Sequence, residues 1–139
     1  MVALLDTSFL YALVDASDRH HSRALTVVQG FQEPLILPCP VLPEIRYLLD
    51  SRLGRHILRR FLQELTMNAI PIEPLEPVDL PRALELLDRY GDSGLDFVDA
   101  AVIAIAERLK ATTILTLDYR HFSIVRPLHC ARFRLLAPE

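Results

Sequence analysis

The stretch 93-SGLDFVDAAVIAIAERL-109 decides the fold. From Ala100 to Ala106 every residue is apolar, and a helix apolar on all sides packs inside a protein. Two carboxylates, Asp96 and Asp99, open that segment. Three residues apart on a helix, they share roughly one face. Packing alone does not explain a buried helix that begins with paired acids.

The neighbouring segments place this helix in an alternating pattern. Val2–Leu5, Leu35–Leu37, Ile70–Glu73, Thr113–Thr116 and Phe133–Leu136 read as short apolar strands. Between them, helices are expected at Phe9–Val14, His20–Gln29, from Glu44, Arg55–Met67 and Val78–Tyr90. Pro40 and Pro43 suit the entry of the third of these, and Pro71–Pro81 serves as strand exit and helix entry. Short apolar strands alternating with helices predict an α/β fold, a three-layer sandwich with a mainly parallel central sheet covered on both faces. With 139 residues and no linker or repeat, residues 1–139 are expected to form one domain.

Composition removes several function classes. An apolar fraction of 51% and a mean hydropathy of +0.25 fit a packed globular chain. The net charge of −3 gives no global basic field, so nucleic-acid contact would rest on local patches. Cys39 and Cys130 are too few for a disulfide scaffold and lack zinc-ligand spacing. Neither a signal peptide nor a membrane span is expected, which points to the cytoplasm. With 4 glycines and no cluster of them, a phosphate-cradling loop is disfavoured.

The acids fall at telling places. Asp6 ends the first strand and Asp118 follows the strand Thr113–Thr116. Glu44 lies in a first helical turn, as do Asp96 and Asp99. In a doubly wound sheet, strand carboxyl ends and the following helix starts share one edge, where ligands bind. Each acid also has a local role open to it: a turn or cap for Asp6 and Asp118, a favourable helix-dipole contact for Glu44, a capping box for Asp96 and Asp99. If they converge, two charges ~5 Å apart repel by about 3 kcal/mol at an effective dielectric of ~20. Such a pocket either protonates or binds cations, and all-oxygen ligands suit Mg²⁺ or Mn²⁺.

The pieces 4-LLDTSFLYALVD-15, 42-LPEIRYLL-49, 95-LDFVDAAVIAIAERLKA-111 and 114-ILTLDYRHF-122 resemble the PIN-domain ribonucleases. Within that family the chain is similar to the toxin nucleases of bacterial VapBC toxin–antitoxin pairs. The resemblance covers nearly the whole chain. It implies a catalytic acidic set at Asp6, Glu44, Asp99 and Asp118, with metal held by Asp6, Asp99 and Asp118 and an additional acid at Asp96. Ser8 and Thr116 match polar supporting positions. It further implies a Mg²⁺- or Mn²⁺-dependent endoribonuclease, a homodimer, and a VapB-type antitoxin that blocks the acidic pocket. A PIN nuclease of RNA processing, or a catalytically silent RNA-binding relative, is the alternative.

Arginines supply the candidate RNA contacts. Arg46 follows Glu44 by two residues; Arg120 and His121 follow Asp118. His121 is expected in a structural or RNA-contact role, because a metal–carboxylate site needs no histidine. Other acid-at-strand-end enzymes fit less well. A receiver-type phosphoacceptor wants an acidic pair at the first strand and a lysine after a late one; here Asp6 stands alone and Lys110 precedes the strand. A haloacid-type phosphatase wants Asp-x-Asp, which Asp6-Thr7-Ser8 lacks.

Overall fold

The computed structural model describes residues 2–68 and 70–136. Among them, five strands form one parallel sheet and seven α-helices flank it. β1 (Ala3–Leu5) is followed by α1 (Thr7–Val14) and α2 (His21–Gln29); β2 (Leu35–Pro38) by α3 (Val41–Arg52) and α4 (Arg55–Asn68). β3 (Ile72–Glu73) leads into α5 (Asp79–Tyr90) and α6 (Phe97–Leu109), and β4 (Thr113–Leu115) into α7 (Tyr119–Ser123) and β5 (Arg134–Leu136).

The strand order is β3-β2-β1-β4-β5, with every pairing parallel. The chain steps outward from β1 to β2 and β3, then returns past β1 to β4 and β5. Right-handed crossovers therefore put α1–α4 on one face and α5–α7 on the other. The packing agrees: α1 meets α2 and α3, α3 meets α4, and α5 lies along α6. Strand order reverses between β1 and β4, so the crevice at their carboxyl ends is the expected ligand position.

The sheet interior explains the short strands. Leu4, Leu5, Leu37, Ile114 and Leu115 are fully or almost fully buried, as strands covered on both faces require. Ala100–Ala106 of α6 are all buried too, and the alanines let the helix lie close against its neighbours. α6 ends on Lys110 at φ 57°, a left-handed cap without glycine.

Several boundaries differ from the sequence expectation. β3 has only two residues, because Pro71 has no N–H for the ladder. α1 starts at Thr7, directly on Asp6, rather than at Phe9. α7 was not expected at all: five residues without an apolar period give no helical signal. Cys39 and Cys130 are free thiols.

Candidate active site

Five acids meet at the switch point between β1 and β4. Asp6 leaves β1 and α1 begins at the next residue, so its carboxylate is held at the sheet edge, 4% exposed. Its Oδ2 accepts hydrogen bonds from Ser8 Oγ at 2.9 Å and from Thr116 Oγ1 at 2.7 Å. Those hydroxyls in turn accept backbone N–H groups: Leu117 N donates to Ser8 Oγ at 3.0 Å and Asp118 N to Thr116 Oγ1 at 2.8 Å. Ser8 and Thr116 thus tie Asp6 to the turn that carries Asp118. Burial pushes the Asp6 carboxyl above the usual range, against the lowering effect of the two hydroxyls.

Asp96 is the N-cap of α6, and its side chain accepts from Asp99 N at 2.9 Å. Asp99 Oδ2 accepts in return from Asp96 N at 3.3 Å. The pair is a capping box with aspartate in both places, so one part of the opening puzzle has a local answer. The capping bond also anchors Asp99 where it is buried. Burial first, and the charges of Asp96 and Asp6 next, push its carboxyl up to about 8. Glu44, in the first turn of α3, is half-buried and raised as well, by burial and by the charges of Asp96 and Asp6. The Thr7 hydroxyl beside it offsets part of that rise, although Thr7 Oγ1 makes no well-aligned hydrogen bond.

Asp118 caps α7, its Oδ1 accepting from His121 N at 3.4 Å. The fifth acid therefore enters from a helix the sequence did not reveal. That helix also brings His121 into the cluster. Its Nδ1 lies 2.8 Å from Asp99 Oδ2 and 2.8 Å from Asp118 Oδ2. Only the Asp-x-x-His spacing from 118 to 121 signalled this placement. Of the arginine candidates, Arg46 pairs loosely with Asp50 at 3.7 Å on an exposed surface, and Arg120 is exposed. Among the described residues, neither forms an ion pair with the acidic cluster.

The donors are carboxylate and hydroxyl oxygens, and the acids raise one another's pKa values. That chemistry fits a hard divalent cation, which would replace the protons that burial and repulsion favour. Among the described residues, no three His, Cys, Asp or Glu side chains stand ready as a coordination group. The buried Nδ1 of His121, without an aligned hydrogen bond, lies between Asp99 and Asp118 instead.

The comparisons agree with this architecture. The PIN domain family's sequence profile matches residues 3–126. A curated relative, ribonuclease VapC26 of Mycobacterium tuberculosis, is 31% identical over 133 residues, covering 96% of this chain and 98% of its own. The crystal structure of M. tuberculosis VapC20, described as a sarcin–ricin-loop-cleaving toxin, superposes with a TM-score of 0.77 at 24% identity, over 84% of this chain and 89% of that one. VapBC2 of Rickettsia felis, solved bound to a promoter DNA fragment, gives a TM-score of 0.70 at 15% identity, over 99% and 98%. The acidic crevice at the β1–β4 switch point is thus framed by a fold these proteins share, and the chain belongs to the PIN-domain family, among its VapC-type members.

Proposed function

We propose that this protein is a Mg²⁺- or Mn²⁺-dependent endoribonuclease, the toxin of a VapBC-type pair, hydrolysing RNA phosphodiester bonds at the acidic crevice. The observation that carries it is the convergence of Asp6, Glu44, Asp96, Asp99 and Asp118 from four separate segments onto one switch point, with three of them raised in pKa by burial and by each other. Structural cap roles account for Asp96 and Asp118, but not for Asp6 and Glu44 beside them.

In this reading Asp6, Asp99 and Asp118 would hold the cation, with Asp96 supporting them. Ser8 and Thr116 fix the direction of the Asp6 carboxylate through their paired hydrogen bonds. A divalent ion held there would supply Lewis acidity for activating a water and stabilising the leaving oxygen. Glu44, raised above an ordinary glutamate, holds a proton at a pH where a free carboxyl would not. That suits it to give a proton to the departing alkoxide. Arg46 and Arg120 are the proposed contacts to RNA phosphates.

The partners follow from the relatives rather than from the site. A structural neighbour is itself a VapBC complex, which supports an antitoxin partner for this chain, and we include a homodimer in the proposal.

Thermal unfolding tests the metal reading first, because the RNA target is open. With EDTA replaced by Mn²⁺ at ~100 times Kd, bound metal should add about 2.7 kcal/mol, several degrees in a domain of this size. Asp99→Asn should keep the fold, lose that shift and lose metal-dependent cleavage of an RNA pool. An equal shift in wild type and Asp99→Asn would remove Asp99 from the site. No shift in either would leave a catalytically silent RNA-binding protein as the better reading.

A further inference from the structure

His121 stands on α7 with its ring aimed into the crevice. Nδ1 is 2.8 Å from Oδ2 of Asp99 and 2.8 Å from Oδ2 of Asp118, yet it is buried and in line with neither for a hydrogen bond. A donor fitted to one acceptor would point at it. This nitrogen sits between two carboxylate oxygens, as a cation does. Magnesium lies about 2.1 Å from its carboxylate ligands, so an ion and Nδ1 cannot both stand between Asp99 and Asp118.

The other edge of the ring has a seat of its own. Gly94 follows a single 3-10 turn (Gly91–Ser93) and takes φ +94°. A Cβ there would fall 3.1 Å from His121 Nε2 and 3.7 Å from Cδ2. The ring therefore occupies space that a side chain at position 94 would fill. The His121 side chain is 27% exposed, so part of it already faces solvent.

We infer that His121 occupies the space between Asp99 and Asp118 in the metal-free protein, and that a divalent cation enters as the imidazole turns out. The inference rests on the cation-dependent reading above. His121 is then a positioning residue: it keeps two repelling carboxylates oriented and scales apparent metal affinity down to the fraction of time the ring is turned out. This also explains why the acids converge without forming a ready three-ligand group.

Calorimetric titration of the metal-stripped full chain with Mn²⁺ tests it, using wild type, His121→Ala, His121→Ser and Asp99→Asn. The two His121 variants should bind Mn²⁺ at least about fivefold more tightly than wild type, while Asp99→Asn loses binding. In NMR spectra of the wild type, the His121 ring resonances should move as diamagnetic Mg²⁺ saturates the site. Equal or weaker Mn²⁺ binding by folded His121 variants overturns the inference and leaves the metal site standing, as do ring resonances that Mg²⁺ leaves unmoved. A wild type that binds no Mn²⁺ overturns both.

Discussion

Asp99 shows how one residue serves the helix and the crevice at once. As the third residue of α6 it completes a capping box; as a buried acid between Asp96 and Asp6 its pKa rises to about 8 from an ordinary 3.8. The folded protein thus binds this proton more tightly than the unfolded chain does. The stability linked to it is fully present below about pH 4 and is lost as pH rises toward 8. Asp99→Asn has no such proton to lose, and an asparagine oxygen can still accept the Asp96 N–H. In EDTA, urea unfolding should show the variant gaining on wild type from about pH 5 to pH 8 and levelling off above that. A difference that stays flat with pH would mean that Asp99 has an ordinary pKa. Asp6 and Glu44, also raised, remain in both proteins and cancel to first order. The positions of Asp6, Asp96, Asp99 and Asp118 relative to strands and helices were legible in the sequence, because a polar residue ending an apolar run is conspicuous. The place of His121 was not: it depends on a cap formed by Asp118 and on a glycine 27 residues upstream in the sequence that leaves the ring room.

At the scale of elements, strong periodicity and burial made most of the fold readable. α6 stands out because seven consecutive apolar residues fit only the interior, and α5 because Ala83 and Leu86 recur on one side. β3 and α7 were poorly marked: a two-residue strand and a five-residue helix are held by their surroundings, not by their own sequence. One such tie joins β3, α5 and α6. Arg108 Nε donates to Asp79 Oδ1 at 3.0 Å and Nη2 to Asp79 Oδ2 at 3.1 Å, with Glu73 Oε2 at 3.4 Å from Nη1 and the Pro74 carbonyl 3.0 Å from Nη2. Asp79 is 2% exposed and also accepts from Glu76 N at 2.9 Å. Breaking a buried pair costs more than the pair contributes, since it strands the partner charge. Arg108 is partly exposed and keeps Glu73, so Asp79→Ala should cost about 2–3 kcal/mol, below the fully buried limit. Denaturant unfolding measures it. The Mn²⁺ shift should survive, because Arg108 lies at the far end of α6 from Asp99. A loss under about 0.5 kcal/mol would rank the pair with ordinary surface bridges.

Across the whole molecule, the switch point explains why a chain of net charge −3 can concentrate five acids without unfolding: the two halves of the sheet each contribute some, and hydroxyls and caps hold them. The same topology leaves the α1–α4 face with a groove of about 760 Å³ bounded by α1, α2 and α4. Leu13, Val14, Val28, Ile57, Phe61 and Leu65 line it, and Asp15, Arg60 and Glu64 lie along its lining as the charged members. A mostly apolar groove of this size suits one face of an amphipathic helix. If the proposed VapB-type antitoxin binds this chain, the groove is the expected seat of one of its helices, apart from the segment that blocks the acidic pocket. Leu65 is only partly buried and packs at the edge of the core, so Leu65→Asp should be tolerated by the fold while placing a charge in the groove. Co-expressed with a VapB-type antitoxin, the wild type should retain that protein through purification and Leu65→Asp should lose it. The variant should still show the full Mn²⁺ shift, since the acidic crevice and the groove share no lining residue. Retention of the partner by a folded Leu65→Asp protein would place the antitoxin elsewhere, whereas loss of the metal shift alongside it would show that the substitution had disturbed the sheet rather than the interface.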